Sequence, residues 1–119
     1  MTFEPWQLYT AVFFAAGIAF LGYRQLRFRK VRMQLPELLK AGAVIVDVRS
    51  RGEFASGARR GSVNIPLDEF QRRAAKLDRS KPIILCCASG ARSAMAEKLL
   101  RQQGFEQVFN AGSWASIPD

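Results

Sequence analysis

The only two cysteines of the chain are adjacent, in "ILCCASGARS" from Ile84 to Ser93. They end an apolar run, and Ala88, Ser89, Gly90 and Ala91 then lead to Arg92. Small residues let the backbone curl so that successive N–H groups point inward and form a concavity for an anion. Where such a loop opens a helix, the helix dipole adds its positive end. Both effects favour thiolate over thiol at Cys87 and lower its pKa below the free value of about 8.5. The same concavity holds a persulfide, whose terminal sulfur is anionic. Arg92 closes the loop with a fixed cation suited to Asp47 or to an incoming oxyanion. The chemistry in view is attack by a cysteine, with the developing anion held by backbone amides.

Competing uses of two thiols are weaker. Neighbouring cysteines close a strained ring instead of stapling distant elements. A zinc site needs more ligands, and the chain contains no histidine. No metal and no organic cofactor is expected. Cys86 reads as a buried thiol that packs, since free cysteine is among the most buried residue types; a resolving role for it rests on adjacency alone.

The elements that position these residues alternate. "AVIVDV", Ala43 to Val48, and "PIILCC", Pro82 to Cys87, are continuous apolar runs of the kind buried on both faces of a parallel sheet. "SVNIP" gives a brief strand and "QVFNAG" a last one. Before the first of them, "LPELLKAG" predicts a short helix with Pro36 in its first turn and Gly42 as its stop. Ser50 and Glu53 have capping-box spacing and predict one or two helical turns ended by Gly57. "LDEFQRRAAKL" places Leu67, Phe70, Ala74 and Leu77 on one stripe. "SAMAEKLLRQQG" places Met95, Ala96, Leu99 and Leu100 on another. Alternation of this kind implies an α/β layer fold with a small, mainly parallel sheet, and such folds bind ligands outside the carboxyl ends of their strands. Those ends carry Asp47, Cys87 and the segment Ala111 to Ser113.

The 119 residues suffice for one domain and a short appendage. The net charge of +8 is unevenly spread. Residues 33–119 hold 13 basic and 9 acidic side chains, so half the excess belongs to Arg24, Arg27, Arg29, Lys30 and Arg32, set against Glu4. That cluster trails an apolar stretch, "WQLYTAVFFAAGIAFLGY", residues 6–23, with no charged side chain. A nucleic-acid surface needs its charge on a folded face with readers nearby, so nucleic acid is not an expected partner. A spanning helix needs about 20 predominantly apolar residues, with a lower limit near 17. Trp6, Tyr9 and Tyr23 stand near its ends, where amphipathic rings meet headgroups. A secretory signal carries its cations before the apolar stretch; here they follow it. The expectation is a retained single-pass anchor at residues 6–23, a tail at 1–5, a basic linker at 24–33 and a folded domain at 34–119, on the cytoplasmic side by the positive-inside rule.

Four blocks in order and at fitting spacing resemble the rhodanese-like family of sulfurtransferase domains. They are "VDVRSRGEF" (Val46 to Phe54), "GARRGSVNIP" (Gly57 to Pro66), "CASGAR" with Ser93 and Ala94, and "VFNAG" before Trp114. The resemblance implies a three-layer rhodanese-like fold and selects Cys87 as the sulfur-carrying cysteine. It makes Ala88, Ser89, Gly90, Ala91 and Arg92 the anion- and persulfide-binding loop, with Asp47 and Arg49 in support. It implies an enzyme that takes sulfane sulfur from thiosulfate or a persulfide and passes it to a small acceptor such as cyanide or to a protein thiol; with the anchor expected from residues 6–23 it would be membrane-anchored, with a membrane partner left open. Ala58 and Arg59 depart from the family pattern, and Ala88 stands where thiosulfate-specialised members often carry a cation. Arg59 or Arg60 would recruit an anionic donor if turned toward the pocket. Two other readings compete: a non-catalytic module that recruits a membrane partner, and phosphatase or arsenate reductase chemistry. The second is disfavoured by four residues, instead of five, between Cys87 and Arg92.

Overall fold

The computed structural model describes residues 2–119. A single helix, α1 (Pro5–Lys40), takes up the first third of the chain. There follow β1 (Val44–Asp47), α2 (Arg51–Ser56), β2 (Val63–Asn64) and α3 (Leu67–Arg73), the last extended by a 3-10 turn at Ala74–Lys76. Then come β3 (Ile83–Cys87), α4 (Ala91–Gln102), β4 (Val108–Ser113) and a 3-10 turn at Trp114–Ser116. The strands form one sheet in the order β2-β1-β3-β4, and each adjacent pair is parallel.

Both faces of the sheet are covered, which is why its strands read as unbroken apolar runs. Strand alternation sends Val46, Ile83, Leu85 and Cys87 to one face, where they pack with Phe70, Ala74, Ala96 and Leu100 of the α3 and α4 layer. Ile45, Ile84 and Cys86 point to the other, where they meet Leu35 of α1 with Ala111 and Ile117. The fold is the expected three-layer α/β arrangement, with the C-terminal half of α1 serving as the third layer.

The helix expected to start at Leu35 is corrected: it is the continuation of α1. Residues 24–33 are helical throughout, and "LPELLKAG" forms the last turns of α1 with Pro36 inside the helix. Arg24 to Leu35 contains no glycine and no Ser, Thr, Asp or Asn to cap a new helix, and is rich in strong helix formers. Proline removes one ladder bond at Pro36, and burial of Phe28, within the basic stretch, and of Leu35, after it, holds the helix to the sheet. Gly42, with φ +86, ends the segment as expected. Met95 of α4 is also corrected: it is exposed, and Ser93, Ala96 and Leu100 form the buried stripe.

Candidate functional site

Cys87 lies at the carboxyl end of β3, with only 1% of its surface exposed. Its Sγ accepts a hydrogen bond from the Gly90 amide at 2.9 Å and lies 3.4 Å from the Ser93 hydroxyl. The loop that makes this possible turns on Gly90, whose φ of +98 is a left-handed conformation at the N-cap of α4. Ala88, Ser89 and Ala91 form the exposed rim, while Gly90 is buried. Burial opposes ionisation of Cys87, but hydrogen bonds from the Ser93 hydroxyl and from the amides of Ser93, Ser89 and Gly90 outweigh it and hold the thiol below its ordinary value.

Cys86, one residue earlier, faces the opposite side of the sheet and is fully buried. Burial pushes its thiol well above the ordinary range. Strand alternation therefore separates two neighbours in sequence into one activated and one inert sulfur, and the resolving role raised by adjacency has no geometric basis.

The loop is tied down from three directions. Asn110 of β4 accepts from the Ser93 hydroxyl at 2.7 Å and from the Gly112 amide at 3.0 Å, and its own amide donates to the Gly90 carbonyl at 3.1 Å. An irregularity between Leu85 and Cys87 offsets β4 by one residue, so that Gly112 adopts φ +81 beside the loop. Phe28 of α1 packs onto both Gly90 and Gly112, where a β-carbon on either would fall within 3.0 Å of the ring.

Arg92 does not pair with Asp47. Its guanidinium donates to both carboxylate oxygens of Glu53, at 2.6 and 2.9 Å. Glu53, expected only to cap α2, does both: it also accepts from the Ser50 amide at 3.1 Å. The Arg92 hydrogen bond foremost, then those from Ser50, draw its carboxyl down to about 2. Asp47 is occupied by Arg49 instead. The Arg49 Nη2 donates to Asp47 Oδ2 at 2.8 Å and to the Gly57 carbonyl at 2.6 Å, its Nε contacts both carboxylate oxygens at 3.0 Å, and its plane lies 4.5 Å from the Trp114 ring centre. Both side chains are buried, so the pair is a structural clamp beneath the carboxyl ends of β1 and β3. Arg59 is engaged by the C-terminal segment, donating to the Pro118 carbonyl at 3.0 Å, and Arg60 is exposed.

The geometry leaves a sulfur ringed by amides, with the nearest cation engaged by its own carboxylate. Such a site suits a compact anion on Cys87 more than a tetrahedral oxyanion that needs a free guanidinium. The rhodanese-like domain model matches residues 32–117. The chain belongs to the rhodanese-like family. Among its relatives, a putative sulfur carrier protein of Bacillus subtilis is 41% identical over 66 residues, 56% of this chain and 36% of that longer protein. A thiosulfate sulfurtransferase of Haemophilus influenzae is 31% identical, covering 62% of this chain and 70% of that one. The crystal structure of a rhodanese-related protein from Thermoplasma volcanium has TM-score 0.62 and 32% identity, covering 71% of this chain and 83% of that one.

Sequence reasoning missed Ser93, Asn110, Phe28 and the second role of Glu53. Ser93 sits in the first turn of α4, where side chains lean back toward the helix start, a signal within reach. The partners Asn110 and Phe28 come from elements brought alongside only by folding.

Proposed function

We propose that the protein is a sulfurtransferase that carries sulfane sulfur on Cys87. The Cys87 thiolate attacks the outer sulfur of thiosulfate, the S–S bond to the sulfonate breaks, and sulfite leaves with its electron pair: Cys87–S⁻ + S–SO₃²⁻ → Cys87–S–S⁻ + SO₃²⁻. A low-molecular-weight persulfide serves as donor in the same way, releasing its thiolate. The loop amides from Ala88 to Arg92 hold the anionic persulfide, and a thiophilic acceptor, cyanide or a thiol, then removes its terminal sulfur. Asp47 and Arg49 position the loop from below. The observation that carries this reading is the convergence of the Gly90 amide and the Ser93 hydroxyl on Cys87 Sγ at the carboxyl edge of the sheet. Similarity to a putative sulfur carrier protein of Bacillus subtilis and to a thiosulfate sulfurtransferase of Haemophilus influenzae supports it. Thiocyanate formation from thiosulfate and cyanide by the full chain, lost in Cys87→Ser, tests it; equal rates in the two proteins would refute it.

The reading includes a single membrane span at residues 6–23, with the domain on the cytoplasmic side. Its support is the surface of α1: the N-terminal apolar stretch is long enough to cross a bilayer and none of it is buried. Trp6, Phe13, Phe14 and Ile18 are all more than half exposed, a contiguous apolar surface that water-soluble chains rarely leave uncovered. The cations that follow it set the orientation. Retention of the full chain in membranes after alkaline washing, and its release when residues 6–23 carry three lysine substitutions, is the expected result.

A further inference from the structure

α1 runs across its face of the sheet antiparallel to the strands. At the amino edge the Ala43 amide donates to the Leu38 carbonyl. Leu35 lies at mid-sheet with Ile84, Cys86 and Ala111. Arg32 donates to the Ala111 carbonyl at 3.4 Å, and Phe28 covers Gly90 and Gly112 at the carboxyl edge. Followed from there toward the N-terminus, the helix leaves the domain on the side where the strands end. That side carries Cys87 and the exposed rim of its loop. The long axis of the molecule, 60 Å against 32 and 29 Å across, is drawn out by this projection.

The depth follows from helix geometry. Phe28, level with Gly90, is five residues from Tyr23, the last of the uncharged apolar stretch, and at 1.5 Å per residue the separation along the axis is about 8 Å. The headgroup layer on each side of a bilayer is about 5–8 Å thick. Arg24 and Arg27 occupy the interval and Lys30 follows it, and no carboxylate lies within ion-pair distance of these three among the described residues. Arg24 stacks on Phe20 and Phe28, and Arg27 on Tyr23. These cations line the α1 wall of a groove of about 720 Å³ between α1, α4 and β4, whose α4 wall carries Arg101 paired with Glu97 at 3.7 Å. Anionic headgroups complement it and draw the domain onto the surface.

We propose that the loop around Cys87 faces the bilayer at headgroup level and that its sulfur acceptor is a thiol carried by a membrane component. This rests on the sulfurtransferase reading and on α1 spanning the membrane. The acceptor thiol gives up its proton and its thiolate attacks the terminal sulfur of the persulfide. The Cys87 S–S bond breaks and Cys87 leaves as thiolate: Cys87–S–S⁻ + R–SH → Cys87–S⁻ + R–S–SH. A rigid helix that fixes the height and orientation of the loop turns encounter with such a thiol into a search in two dimensions at a set depth.

The test uses the full chain in phosphatidylglycerol vesicles that contain phosphatidylthioethanol, a phospholipid with a thiol headgroup. The protein is loaded with thiosulfate and lipid persulfide is measured by mass. A variant with seven polar, helix-forming residues inserted between Tyr23 and Arg24 lifts the loop by about 10 Å and turns it by only about 20°. Lipid-thiol transfer is expected to fall about tenfold or more in the variant, while thiocyanate formation with cyanide in the same vesicles is unchanged. Equal transfer to lipid by both proteins, or none by either while cyanide is still sulfurated, overturns the inference. Loss of the cyanide reaction in the unmodified chain overturns the sulfurtransferase reading on which it rests. Release of an active chain from the vesicles by alkaline washing overturns the membrane span and the inference together, leaving sulfur transfer standing.

Discussion

The ring of Phe28 stands where a β-carbon on Gly90 would lie, with its Cε2 2.8 Å from that position. The amide of the same Gly90 points at Cys87 Sγ. One residue of the basic stretch that follows the apolar segment is thus packed against the residue that shapes the sulfur site. Gly90→Ala meets two penalties, a φ of +98 that side chains rarely adopt and displacement of the ring, expected to total about 2–4 kcal/mol. Urea unfolding of the detergent-solubilised chain should show the lower midpoint, and thiosulfate loading should fail.

Cys86 and Cys87 should part company under substitution. Cys86→Ala leaves a small gap among Ile45, Ile84 and Ala111 and is expected to cost about 1–2 kcal/mol while sulfur loading persists. Cys87→Ser should keep stability and lose loading. Loss of loading in a folded Cys86→Ala protein would contradict the division of roles.

Ser93 holds its hydroxyl between Cys87 and Asn110. Removing it takes away the foremost group that lowers the Cys87 thiol against the cost of burial. In Ser93→Ala the pH at which iodoacetamide reacts half-maximally with Cys87 is expected to rise, with a slower reaction at neutral pH. Asn110→Ala, which leaves the hydroxyl in place but frees the loop, should slow sulfur loading with a smaller change in that profile. An unshifted profile in Ser93→Ala would contradict the assignment.

Arg49→Ala strands a buried carboxylate. Asp47 is fully buried and Arg49 is 4% exposed, and breaking such a pair from one side costs about 3–5 kcal/mol. The variant should accumulate poorly or melt at much lower denaturant. A near-normal melt would show that the pair is dispensable.

Glu53 gives the pH dependence. Its carboxyl is drawn from 4.5 down to about 2, first by Arg92 and then by Ser50. A group depressed in the folded state contributes its full stabilisation above the unfolded value and loses it as pH falls through the folded one. The stabilisation from the link between α2 and the start of α4 should therefore be full at pH 5 and fade between about 4.5 and about 2, while the link itself opens only as the pH nears about 2. Carboxyl ¹³C resonances would follow it directly, and titration of Glu53 at 4.5 would contradict the pair.

Much of this was legible in the chain. "AVIVDV" and "PIILCC" fixed the parallel core because strands covered on both faces need no polar alternation, and "CASGAR" marked the site because its small residues and arginine have a local reason to be there. The single helix was harder to read: Pro36 suggested a start, and only the absence of caps from Arg24 to Leu35 argued for continuity. Arg92 pairs with Glu53 and not with Asp47, one of the two partners its position offered, because both carboxylates lie near the loop's neighbour strand in sequence and a hydrogen-bond partner is decided by side-chain packing. Asn110 and Phe28 act across the fold, 20 and 62 residues from Gly90, a distance over which no spacing rule reaches.

The most direct test of the central claim is the intact mass of the full chain after incubation with thiosulfate, and separately with a low-molecular-weight persulfide, beside Cys87→Ser. The account predicts a gain of one sulfur on the unmodified protein, removed by cyanide and absent from the variant. No added mass on a folded chain with either donor, or the same gain in Cys87→Ser, would contradict it.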